Sequence, residues 1–78
     1  MPQVIDVTAL WDAEAGVWVA ESAQVPGLIT EAPTMEALMD KLQVLIPELL
    51  DANGYPDGEE VPFRVLSERS AVAHRHHA

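Results

Sequence analysis

Apolar residues recur at steps of three and four across residues 34–54, TMEALMDKLQVLIPELLDANG. Met35, Leu38, Met39, Leu42, Leu45, Ile46, Leu49 and Leu50 share one face of a helix with about 3.6 residues per turn. Glu36, Asp40, Gln43 and Asp51 fall on the opposite side. Thr34 suits the N-cap, Glu36 complements the positive end of the helix dipole, and Asn53-Gly54 offers a left-handed exit. Pro47 lacks the N–H that would meet the carbonyl of Gln43, a cost of about 3 kcal/mol in a helix interior. The apolar register crosses Pro47 without a phase break. That favours one helix bending there over two helices, the second opening at Pro47.

The remaining apolar runs have the period and composition of strands. Residues 4–11, VIDVTALW, place Ile5, Val7, Ala9 and Trp11 on one face. That set has no polar member and is expected to meet the helix. Residues 12–16 form a short loop ending in glycine, and residues 17–22, VWVAES, return as a second strand. With Trp11 opposite Val17, the other face carries Leu10, Trp18, Thr8, Ala20, Asp6 and Ser22. Leu10 and Trp18 would make that face an interface patch. Gln24-Val25-Pro26-Gly27 fits a type II turn, in which glycine supplies the positive φ. Residues 28–32 give a third strand. Residues 55–60 form a loop dense in breakers, and residues 61–66 give a fourth strand with Pro62 at an edge or outside the pairing.

The order β-β-β-α-β defines an α+β domain. Three antiparallel strands form a meander, and a right-handed return through the helix sets the fourth strand parallel to the first. The sheet order is then 3-2-1-4. One helix covers one face of such a sheet, so the other must be polar or be used by another protein.

Composition narrows the class further. A chain of 78 residues buries only about 60–65% of its unfolded surface and is marginal alone. With no cysteine, a disulfide or thiolate metal site cannot support it, which points to a homo-oligomer, dimer or tetramer. The start of the chain does not have the pattern of a signal peptide, and no apolar run approaches the ~20 residues of a membrane span. A cytoplasmic location with no membrane contact is expected. The net charge of −9 opposes direct nucleic-acid binding and favours a basic protein partner.

The residues also resemble a known family. Trp18 in a hairpin, Val25-Pro26-Gly27 at the turn and Thr34-Met35-Glu36-Ala37 at the helix start resemble the HicB-like antitoxin superfamily. The last motif is one residue shorter than the common form, and Gln24-Val25 replaces the aspartate often found before the proline. The pairing of GVWVA with a later LIPELL is closer to a small bacterial branch described only as a domain of unknown function. The resemblance covers residues 4–66. It implies a partial ribonuclease-H-like fold and either toxin binding or an orphan relative, without the DNA-binding segment of two-protein antitoxins. Full enzymes of that fold hold acids around divalent metals. Here Asp6 and Glu21 point to opposite faces in the register above, so neither a metal cluster nor nuclease activity is expected.

The domain is expected to span residues 1–68, with residues 69–78 a disordered tail. In that tail His74, Arg75, His76 and His77 read as solvated residues rather than metal ligands, because nothing orients the rings. Ser22, Ser67 and Ser70 have no base placed by a local motif, so no hydrolase is indicated. No enzyme and no cofactor are expected. The candidate partner-binding residues are Asp6, Leu10, Trp18, Glu59 and Glu60, on a non-catalytic module that would occlude a small basic ribonuclease toxin. The alternative is an orphan self-associating domain with no toxin partner.

Overall fold

A computed structural model describes residues 4–54 and 60–76. In chain order these form β1 (Ile5–Asp12), β2 (Val17–Glu21), β3 (Ile29–Ala32), α1 (Met35–Ala52) and β4 (Phe63–Glu68). The four strands make one sheet of order β3-β2-β1-β4. β1 and β3 run antiparallel to β2, and β4 runs parallel to β1. The meander and the return through one helix are therefore as expected from the order of elements.

Local chemistry explains where each element starts and stops. Thr34 is extended at φ −131° and ψ 158°, and its hydroxyl accepts a hydrogen bond from the Ala37 N–H at 3.1 Å. At the other end Asn53 N–H donates to the Leu49 carbonyl at 3.0 Å, and Gly54 leaves with φ 74°. α1 continues through Pro47 as a single helix, and no second helix begins there. Pro47 and Gln43 both lie on the exposed side, where water can take the place of the missing bond. Gly27 has φ 84°, and Leu28 N–H closes the turn onto the Val25 carbonyl at 3.1 Å, as a type II geometry requires.

The core lies between α1 and one side of the sheet. Leu38, Leu42 and Ile46 on the helix, Val7 and Ala9 on β1, Ala20 on β2 and Val25 in the turn are all fully buried. Ala9 and Ala20 are direct cross-strand partners, so two small side chains sit side by side beneath the helix. That lets α1 lie close over β2 and β3. Phe63 and Val65 on β4 complete the same face and stay partly exposed.

Two expectations need correction. The first is the hairpin register. Trp11 pairs with Trp18, Leu10 with Val19 and Asp12 with Val17, a slip of one residue from Trp11 opposite Val17. A one-residue slip turns every side chain of β2 to the other face. Trp18 and Ala20 therefore lie on the helix side, and Val17, Val19 and Glu21 lie on the open side. The cause is Asp12, which ends the strand rather than opening the loop. Its carboxylate accepts from the Glu14 and Ala15 N–H groups at 3.1 Å, and its carbonyl accepts from Gly16 N–H at 2.8 Å. With Gly16 at φ 69°, residues 13–16 make a four-residue connection.

The second correction concerns β4, which is displaced by two residues from 61–66. Pro62 stays outside the strand, with its carbonyl accepting from Ile5 N–H at 3.0 Å, and pairing with β1 carries Ser67 and Glu68 into the ladder. Stability should follow this architecture. Leu42→Ala should cost about 2–5 kcal/mol through lost burial and the cavity left behind. Thr34→Ala should cost only about 1 kcal/mol through the lost cap. Urea denaturation midpoints check the order, and similar losses for both would contradict the core assignment.

Candidate protein-binding face

The sheet face turned away from α1 is uncovered. Its composition follows from the registers. One row across the four strands reads Glu31, Val19, Leu10, Glu68, with two apolar side chains between two carboxylates. The adjacent row reads Ile29, Glu21, Thr8, Leu66, with apolar residues at both sheet edges. Leu10 is 49% exposed, Leu66 55% and Ile29 71%. Strands place such residues outward only when the surface is tolerated in water or covered by something else.

A third row pairs Asp6 with Arg64, and the two side chains form a hydrogen-bonded ion pair. The bond to Asp6 and its charge hold the Arg64 guanidinium above its ordinary pKa. Arg64 is the one cation among the strand residues on this face, and Asp6 engages it. That leaves the carboxylates of Glu21, Glu31 and Glu68 to set the field of the face. The Asp6 backbone is also fixed. Its N–H donates to Gln24 Oε1 at 2.6 Å, and its carbonyl accepts from Ser22 Oγ at 2.7 Å. These two side chains continue the work of β2 beyond its last ladder residue.

Of the residues singled out in the sequence, Asp6 and Leu10 do lie on the open face. Trp18 does not. It packs edge to face on Trp11, ring centroids 5.3 Å apart, on the helix side of the sheet. The Arg69 guanidinium carbon sits 4.0 Å from the centre of the Trp11 ring, so a cation closes this stack. Glu60 is exposed ahead of β4, and Glu59 lies outside the described residues, together with residues 55–58. Asp6 and Glu21, expected on opposite faces, share the open one. Even so, no group of three or more His, Cys, Asp or Glu side chains able to hold a metal ion occurs among the described residues. Val19, Ile29, Glu31, Leu66 and Glu68 were not singled out by the sequence pattern. The Asp12 to Gly16 spacing was the signal that would have found the first of them.

The two faces should respond differently to substitution. Trp18→Ala should lower stability by about 2–3 kcal/mol, somewhat less than truncation of a fully buried tryptophan. Leu10→Ser should stay within about 0.5 kcal/mol of the parent. Thermal or urea unfolding decides between this and the more nearly equal losses that Trp18 on the open face would give.

Among the described residues, no helix is long and apolar enough to cross a membrane. The chain is similar to the solved structure of a hypothetical protein from the extremely thermophilic bacterium Thermus thermophilus, with a TM-score of 0.79 and 52% sequence identity. The likeness covers 91% of this chain and 100% of that one. No curated protein matches. Residues 4–76 match the profile of a domain of unknown function, DUF1902, which reaches past the end of β4 and takes in the segment beyond it. This agrees with the resemblance to a branch described only in that way. The chain belongs to the DUF1902 family.

Proposed function

We propose that this chain is a non-catalytic, HicB-like binding module whose open sheet face covers a small basic protein, a ribonuclease toxin in the antitoxin reading. The observation that carries the proposal is the row Glu31, Val19, Leu10, Glu68. Apolar side chains at its centre suit a desolvated contact, and carboxylates at its rim suit a partner of opposite charge. The body of the chain offers few competing cations, since Lys41 and Arg64 are the only ones before residue 69. Lys41 is engaged as well, donating to the Glu31 carbonyl at 2.6 Å. Occlusion is the mechanism. A basic nuclease must present cations to RNA, and an acid-rimmed surface laid over them removes that site from solvent and from substrate.

Leu10 and Val19 take the centre of the contact, with Glu21, Glu31 and Glu68 around them, and Glu60 lies at the periphery. Asp6 acts mainly through Arg64, which it holds in place. Trp18 supports the face from behind and makes no contact with the partner.

The test is coexpression with any small basic protein encoded beside this chain. A complex should form at low salt and weaken by about tenfold or more as ionic strength rises, because rim charges are screened. Leu10→Glu combined with Glu31→Lys should abolish it while the far-ultraviolet dichroism stays that of the parent. No complex at low salt, or a complex indifferent to both substitutions, would overturn the reading.

A further inference from the structure

Residues 69–76 run on from β4 without helix or strand, and every one of them is exposed, Val72 at 81%. The molecule measures 62 × 26 × 19 Å, and its radius of gyration of 15.8 Å exceeds the roughly 12 Å of a compact chain of this length. α1 accounts for about 27 Å of length and β1 for about 26 Å. An extended run of eight residues adds up to about 27 Å, the larger part of the excess. Arg69 stays with its own body through Trp11, which fixes where the segment departs.

Charge divides the chain at the same point. All 13 acids lie at or before Glu68, with Lys41 and Arg64 as the only strong bases there, so thirteen acids less two bases give −11. Residues 69–78 contain no acid, carry Arg69 and Arg75, and hold all three histidines. A basic segment joined to an acidic body has a counter-surface within its own sequence. Because it points away from its own sheet, that surface is available on another molecule. The family match includes these residues, so they are part of the family unit.

We propose that residues 69–76 are an arm that docks on the acid-rimmed open face of a second copy of this chain. Ala71, Val72 and Ala73 are small enough to lie along Leu10 and Val19, while Arg75 meets the carboxylates at the rim. Four strands spaced about 4.8 Å apart make a sheet that the arm can cross in its own length. Reciprocal exchange of two arms closes a pair about a two-fold axis and leaves no arm free. The proposal does not rest on a basic protein partner. A chain lacking the arm keeps its open face and should still bind such a partner, so the two readings fail separately.

Sedimentation of the full chain and of a chain ending after Ser70 tests the arm. At low salt the full chain should sediment at twice its 8.5 kDa mass and the shortened chain as a monomer. Arg75→Glu should weaken the pair at least tenfold, and high salt should do the same. Since the chain has no cysteine, Val72→Cys gives a single site for a nitroxide label. Mixed with isotope-labelled parent, it should broaden the amides of Leu10, Val19 and Glu31 on the other molecule. A monomeric full chain, a shortened chain that pairs equally well, or broadening absent from the second molecule would each overturn the proposal. So would a shortened chain of unchanged mass that has lost binding to an RNA homopolymer, because the arm would then be a polyanion contact.

Discussion

The structure depends on one act of burial, the closing of Leu38, Leu42 and Ile46 over Val7, Ala9 and Ala20. These six side chains are fully withdrawn from water. At roughly 1.5–3 kcal/mol for each large aliphatic side chain removed from solvent, this is the main force available to so short a chain. The alanine pair beneath the helix matters as much as the leucines above it, because larger residues there would lift α1 from the sheet. No polar or charged side chain is buried among the described residues, so burial carries no unpaired desolvation penalty.

Covering one face with one helix leaves the other in water. That asymmetry links packing to function. The uncovered face has alternation of its own, but its outward set is too apolar to be only a solvating surface and too acidic to be a second core. Its register is held by side-chain hydrogen bonds to the backbone outside the buried core. Asp12 and Gly16 set the hairpin at one end of the sheet, and Ser22 and Gln24 hold the Asp6 backbone at the other. The register of the open face and the burial of the core thus rest on different residues.

The helix, its caps, the strand order and the one-sided core could be read from residue spacing because each is a local rule with a strong period. The face of β2 could not. Val17, Trp18 and Val19 are apolar on both sides, so alternation gave no preference and the choice fell to the loop. There the role of Asp12 as the last strand residue, bonded to the loop amides, outweighed its polarity. The outward positions of β3 and β4 were obscured for a related reason. Ile29 and Leu66 look like core residues until pairing fixes which way they turn. The extended course of residues 69–76 has no periodic signature, and only the loss of apolar pattern sets it apart in the sequence.

α1 seals one side of the sheet and leaves the other uncovered. Methyl relaxation by a water-soluble gadolinium chelate, measured on the dilute chain, tests it most directly. Leu10, Ile29 and Leu66 should relax strongly while Leu38, Leu42 and Ile46 stay protected. Equal relaxation of the two sets, or protection of the first set alone, would contradict it.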